Sequence, residues 1–362
     1  MREERNFWRG KRVFVTGHTG FKGTWLAKML TLLGAEVTGY ALRPLTEEGQ
    51  RVYEQLELGT LSDIDGDIRD FEKLSQAVRA ARPEIVLHLA AQPLVLESYR
   101  SPRMTYETNV MGTVNILESI RRSGGVRSFL NVTTDKVYHN REWCWGYREN
   151  EPLDGFDPYS NSKSCSELVT HSYQSSFFSD GETAISTARA GNVIGGGDFS
   201  ANRILPDCIR AASRGERIEV RNPNSTRPYQ HVLEPLAAYL MIARRQYEDH
   251  SYAGWYNVGP DDCDCVTTGD LATLFCKAWG DGASWETKHL DAPHEANFLK
   301  LDSTKLKTTF GWQPGWHIGT AVEKTVEWAK AWQQGIPAGK IMERQIKEFL
   351  ERETTDDETG NA

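Results

Sequence analysis

The 362 residues are enough for one large α/β domain or two modest ones. With 25% of residues charged and a net charge of −8, the chain lacks the basic footprint that nucleic acid requires, while a small phosphorylated ligand needs only a local patch. The longest apolar runs are strand-sized, which argues against a membrane partner, and the charged start MREERNFWRGKRVF leaves no room for a signal segment, so a cytoplasmic setting is expected.

In chain order, KRVFVTG reads as a strand and GFKGTWLAKMLTLLGA as the amphipathic helix after it. EVTGYAL is a second strand, FEKLSQAVRAARP a helix stopped at Pro83, and EIVLHLAA a third buried strand. Pro102 opens a long helix that ends at Gly124-Gly125, before the strand VRSFLNVTT. PYSNSKSCSELVTHSYQSSF is a further helix and TAISTARAGNVIG a further strand. Strand–helix alternation of this kind predicts an α/β fold, a Rossmann-type doubly wound parallel sheet, over residues 1–190. A smaller mixed α/β lobe is expected over 191–350, with segments near 231–262 returning to the first domain, and a disordered tail over 351–362. The six cysteines show no framework and read as plain thiols, so no metal is expected.

Gly17-His18-Thr19-Gly20-Phe21-Lys22-Gly23 falls between the first strand and the first helix. Glycines there let backbone approach a pyrophosphate at the helix N-terminus, where free N–H groups favour an anion. The spacing is GxxGxxG, and its place in a strand–turn–helix unit predicts a dinucleotide site. The acid expected about 20 residues later, to hold the adenosine ribose, is missing; Tyr40, Ala41, Leu42 and Arg43 stand there instead. Arg43 suits a 2′-phosphate, an adenine face or solvent, so NAD is expected without excluding NADP. The next acid, Asp67, is followed by Ile68 and suits the adenine edge; Leu89, Ala90 and Ala91, ending the third strand, complete the expected cofactor lining.

Tyr159 and Lys163 lie four residues apart at the start of a helix, so phenol and ammonium share one face. A nearby cation and a charged nicotinamide both favour phenolate, which makes Tyr159 a usable base. The strand VRSFLNVTT ends 25 residues earlier in Thr133-Thr134, followed by Asp135-Lys136, an acid beside a base.

Together GHTGFKG, TTDKVY and YSNSK resemble the extended short-chain dehydrogenase/reductase superfamily, and within it the nucleotide-sugar 4,6-dehydratases. The likeness extends through AAQPLVLESY, RAGNVIGGGDF, RPYQHVLEPL and HEANFLKLD. In the dTDP-glucose and GDP-mannose types the residue after the acid is typically glutamate; lysine at 136 is similar to the CDP-glucose type. The resemblance implies C4 oxidation of a nucleotide sugar, with Tyr159 taking the hydroxyl proton and Thr134 bonding the C4 oxygen. Asp135 then serves as acid for the C6 hydroxyl and Lys136 as base for C5, with hydride returning to C6. It implies substrate contacts at Gln92, Asn192, Arg203, Ile204, Leu205, Arg227 and His294. It also implies a homodimer, with a tetramer open, through helices near 103–123 and 159–178, and a role in deoxysugar supply for bacterial surface polysaccharide. Leu96 and Tyr229 depart from the residues common there, arginine and tryptophan. A 4-epimerase or reductase using Tyr159 and Lys163 alone, or a dinucleotide sensor without catalysis, are the competing readings.

Overall fold

The computed structural model describes residues 2–179, 181–288 and 297–359. Seven strands form its main sheet: β1 (Arg12–Thr16), β2 (Glu36–Ala41), β3 (Ser62–Asp65), β4 (Ile85–His88), β5 (Ser128–Thr134), β6 (Ala184–Ala190) and β7 (Trp255–Val258). Their order is β7-β6-β5-β4-β1-β2-β3 and every neighbouring pair is parallel. β4, β5 and β6 are buried along their whole length, as parallel strands covered by helices on both faces must be. The sheet is the expected Rossmann type. Its strand order reverses between β1 and β4, which opens a crevice at their carboxyl ends.

Helix Phe21–Leu33 returns the chain from β1 and ends in Gly34 at φ 88°, a left-handed cap that glycine adopts without strain. The helix opened by Pro102 runs to Ser123, interrupted by one π turn at Glu107–Met111. Gly112 follows that turn, where a Cβ would lie 2.8 Å from Ile68 Cγ2. Helix Pro158–Phe177 is capped by Asp157, whose carboxylate accepts from Ser160 N, and Pro158 at the first turn sacrifices no helical hydrogen bond.

Beyond β6 the chain leaves the sheet. Helices Ile204–Ser213, Thr268–Trp279 and Ile318–Gln333, with short strand pairs Ile218–Val220/Trp285–Thr287 and Thr226–Pro228/Cys265–Thr267, enclose a second core. Leu205, Tyr229, Phe275 and Val322 lie in it. Helix Leu233–Glu248 and β7 belong to the main sheet, where Leu236, Tyr239 and Val258 join the larger core. The two units are sewn together at the glycine-rich turn after β6. There Trp25 Nε1 donates to Gly196 O at 2.9 Å, and a Cβ on Gly196 would lie 2.0 Å from the Trp328 ring.

The last helix, Ala338–Thr359, lays Ile341, Met342, Ile346 and Phe349 on the larger core rather than the smaller lobe. The expected boundary at 350 falls inside this helix, which runs on where a disordered tail was expected. The run ERQIKEFLERE is rich in helix formers and carries an apolar stripe, which outweighs its polarity. Among the described residues no helix is long and apolar enough to cross a membrane.

Candidate active site

Each central strand delivers one turn to the crevice. β1 runs into Gly17, β4 into Leu89 and β6 into Gly191, and β5 ends at Thr134. Side chains distant in sequence therefore meet at one edge, because parallel strands all present their carboxyl ends there.

The glycines of the first turn have different physical reasons. Gly17 stands at φ 76°, and a Cβ there would lie 2.8 Å from Ala90 N. Gly23 would drive a Cβ to 2.0 Å from Gly17 O, so it sets how closely helix and turn pack. Gly20 has neither demand: its φ is −76°, and its Cβ would meet only Gly17 O at 3.5 Å. A group approaching from outside, at the free N–H groups of the helix, supplies the reason for glycine at 20. Thr19 Oγ1 donates to Leu42 O at 2.7 Å and ties the turn to the end of β2. Phe21 packs its ring on the larger core, so only its backbone faces the crevice.

Arg43, which stands where the ribose acid was expected, is held by acids of the next strand. Asp63 on β3 receives Arg43 Nη1 at 2.6 Å and pairs with buried His18 at 3.0 Å, and Asp65 lies 3.8 Å from Arg43 Nε. Burial alone would raise the Asp63 carboxyl, but the hydrogen bonds from Arg43 and His18 outweigh it and hold its pKa below the usual value. Arg43 is thus flanked by two carboxylates, a poor setting for a 2′-phosphate. Asp67 is engaged by Arg69, whose guanidinium and backbone N–H both reach its carboxylate. Ile68 is buried in the core against Gly112 and contributes packing, which corrects its reading as a lining residue. Leu89 and Ala90 donate their N–H groups to Thr16 Oγ1, each at 3.2 Å, and Ala91 continues the same half-buried turn.

The reacting groups stand together. The Thr134 hydroxyl faces the Tyr159 phenol and works against its raised pKa. Thr134 Oγ1 donates to Asp135 Oδ1 at 2.9 Å, and Lys136 Nζ reaches the same oxygen at 3.5 Å. Asp135 is 1% exposed, and its Oδ2 has no partner. Burial pushes the Tyr159 phenol up to about 12, with the Thr134 hydrogen bond and the Arg203 charge working against it. Burial also lowers Lys163 to about 8, while Glu167 one turn on resists that change. Lys163 Nζ donates to Val132 O at 3.0 Å, which aims the ammonium along the Tyr159 face.

Three buried polar atoms at this edge lack partners among the described residues: Asp135 Oδ2, Asn192 Oδ1 and Tyr239 Oη. Left so, each would cost on the order of 1–3 kcal/mol, so they fit a polar ligand in the crevice. Together with the vacant approach over Gly20, they fit a dinucleotide beside a second polar ligand. Tyr239 carries no motif, and its place near Tyr159 was not legible in the sequence.

The remaining expected substrate contacts divide. Asn192 and Arg203 stand at the crevice, Arg203 held by Asp198 at 3.1 Å. Gln92 spends its amide internally, accepting from Leu94 N and donating to Leu94 O and Thr105 Oγ1, so it shapes its own turn. Leu205 is 1% exposed in the smaller core and Ile204 packs beside it, because the helix start turns both inward. Arg227 is buried and donates to Thr226 O. His294 lies outside the described residues. Nearby, Trp143 stacks on Tyr147 whereas Trp145 is 66% exposed.

One support beneath the site had no sequence signal. Glu167 and Arg189, both 0% exposed, pair at 2.9 Å. Glu167 also accepts from Thr133 and Thr187, and Arg189 donates to Tyr138 Oη. Burial opposes the Glu167 charge, yet Arg189, His171 and Thr133 hold its pKa down at about 2. This network locks β5 to β6 one residue before Thr134.

Comparison with known proteins agrees with the geometry. The family described as GDP-mannose 4,6-dehydratase matches residues 14–325. A CDP-glucose 4,6-dehydratase of Salmonella typhimurium is 46% identical over 358 residues, covering 97% of this chain and 99% of that protein. Among solved structures, a UDP-glucose 4-epimerase of Thermus thermophilus in complex with NAD superposes with a TM-score of 0.76 at 24% identity, covering 88% of this chain and 98% of that one. A dTDP-glucose 4,6-dehydratase of Bacillus anthracis in complex with NAD gives 0.74 at 20% identity, covering 89% and 97%.

Proposed function

We infer the function from one premise: the chain belongs to the GDP-mannose 4,6-dehydratase family. It is a nucleotide-sugar 4,6-dehydratase that converts CDP-glucose to the 4-keto-6-deoxy sugar nucleotide and water, using NAD without net redox change. The observation that carries this reading is the run Thr134, Asp135, Lys136, hydrogen-bonded at Asp135 Oδ1 and set against the Tyr159 phenol, in a chain 46% identical to the Salmonella enzyme over 97% of its length. C4 epimerisation or simple oxidation requires only Tyr159 and Lys163; a buried acid sharing an oxygen with a lysine suits elimination across C5 and C6.

Gly17, Gly20 and Gly23 would hold the NAD pyrophosphate, with Asp63 and Arg43 at the adenosine end and Tyr159 and Lys163 at the nicotinamide. Bound there, NAD supplies a reversible hydride acceptor, reduced at the expense of C4 and reoxidised at C6. Tyr159 takes the C4 hydroxyl proton. Its high pKa in the free site has to fall for that, and the Lys163 ammonium stabilises the phenolate while Thr134 orients it. The 4-ketone makes the C5 proton acidic. Lys136 removes that proton, and Asp135 protonates the C6 oxygen as it leaves. Asn192 and Arg203 meet the nucleotide diphosphate.

A homodimer is part of the reading. Met111, Leu168 and Phe177, on the two long helices, are about half exposed, an apolar set that a second copy of the same face would cover. The activity belongs in the cytoplasm.

The test is to incubate the protein and NAD in heavy water with CDP-glucose, dTDP-glucose, UDP-glucose and GDP-mannose and weigh the products. Loss of one water from CDP-glucose alone, with one deuterium at C5, is the expected result. Loss of water from another of the four would overturn the substrate and keep the reaction. A product isomeric with its substrate would overturn the dehydratase.

A further inference from the structure

Lys22 is the third residue of the phosphate-binding turn counted from Gly20, and its ammonium is unusual among the cations here. Among the described residues it makes no hydrogen bond and no ion pair; its nearest ring is Tyr239, whose centroid lies 6.0 Å from Nζ. Tyr239 is fully buried and its hydroxyl has no partner. Lys22 keeps some exposed surface in the open crevice, yet loss of hydration lowers it to about 7, helped by Arg203, Lys163 and Lys136 and opposed by Asp135. Those neighbours belong to the reacting end of the crevice, and Tyr239 in turn interacts electrostatically with Tyr159. The backbone N–H groups of the helix's first turn would serve the pyrophosphate; the Lys22 ammonium lies over Tyr239, which neighbours Tyr159 at the reacting end.

Resting on the NAD reading above, we propose that Lys22 sets the balance between the two states of the cofactor, its ammonium disfavouring the positively charged oxidised nicotinamide and leaving the neutral reduced ring unopposed. The oxidised ring carries a unit positive charge that is lost when it accepts hydride. In its ammonium form Lys22 therefore weakens NAD relative to NADH by Coulomb repulsion in a cleft of reduced dielectric. Such a bias favours C4 oxidation and holds the cofactor reduced while the 4-ketone loses water. Lys163 shares the effect, but it is tied to Val132 O and paired in function with Tyr159. Lys22 has no such engagement.

The test is a pair of binding titrations, NAD and NADH separately, on wild type, Lys22→Met and Lys22→Arg, followed by calorimetry, with far-UV circular dichroism to show the fold. The expected result is that Lys22→Met shifts the NAD-to-NADH affinity ratio by about tenfold toward NAD, as a unit charge at this range implies, while Lys22→Arg keeps the wild-type ratio. Parallel weakening of both ligands in Lys22→Met would make Lys22 a phosphate clamp and overturn the proposal, as would an unchanged ratio. Lys22→Gln carries the same comparison if the methionine variant does not fold. Wild type that binds neither cofactor would overturn the NAD reading itself, an outcome distinct from every other.

Discussion

Single residues separate chemistry from support. Tyr159→Phe removes the proton acceptor and leaves the ring in place, so turnover should fall by about 10²–10⁴-fold with the thermal midpoint little changed; a steady-state assay beside a melting curve checks both. Lys136→Met should stop solvent deuterium from entering C5 while C4 oxidation persists, seen as transient absorbance of the reduced cofactor. Glu167→Gln is the opposite case. It strips the partner from a guanidinium that is 0% exposed, and breaking a buried pair on one side costs about 3–5 kcal/mol. Denaturant unfolding should register that loss, and activity measured on the surviving folded fraction should change less.

At the scale of the element, the turn after β1 and the helix it feeds give a paired prediction. Gly23→Ala puts a methyl 2.0 Å from Gly17 O, so turn and helix must separate; stability and cofactor affinity should fall together. Gly20→Ala meets nothing nearer than 3.5 Å, so its melting temperature should hold while NAD affinity drops. Calorimetric titration of NAD into both variants separates the two effects. The same turn shows how far reading by element goes. Strand, glycines and helix were legible from periodicity and spacing, but the acid that meets Arg43 after β2 is Asp63 on β3. Its partnership with Arg43 and His18 depends on strands pairing side by side, which no local pattern records.

For the whole molecule, buried ionisable groups set the response to acid. Burial lowers His88 and His231 to about 3, so both stay neutral in the fold while the unfolded chain protonates them below about 6.5. Glu167, held at about 2, stays charged where the unfolded chain takes up a proton below about 4.5. In each window the unfolded state binds more protons, so stability rises with pH and is lost on acidification. Between pH 7 and 5 the two histidines should each remove roughly 2 kcal/mol at most, seen as a falling melting temperature across that range. His88→Asn should flatten the slope.

The linear chain by itself determined the alternation of strands and helices, the phosphate turn, and the Tyr159–Lys163 and Asp135–Lys136 pairs. These are short-range features, written in periods of two and 3.6 and in spacings within one turn. It also marked Leu205 and Ile68 as lining residues when they are core, because an apolar residue at an element boundary reads the same whichever side it faces. Tertiary structure alone decided that the Thr134–Asp135–Lys136 turn meets the Tyr159 phenol. It alone placed Glu167 and Arg189 beneath that site and brought Lys22 and Tyr239 to one edge. Such meetings come from parallel strands presenting their carboxyl ends together, and a partner's identity then depends on strand order, which is a property of the sheet and not of any segment in it.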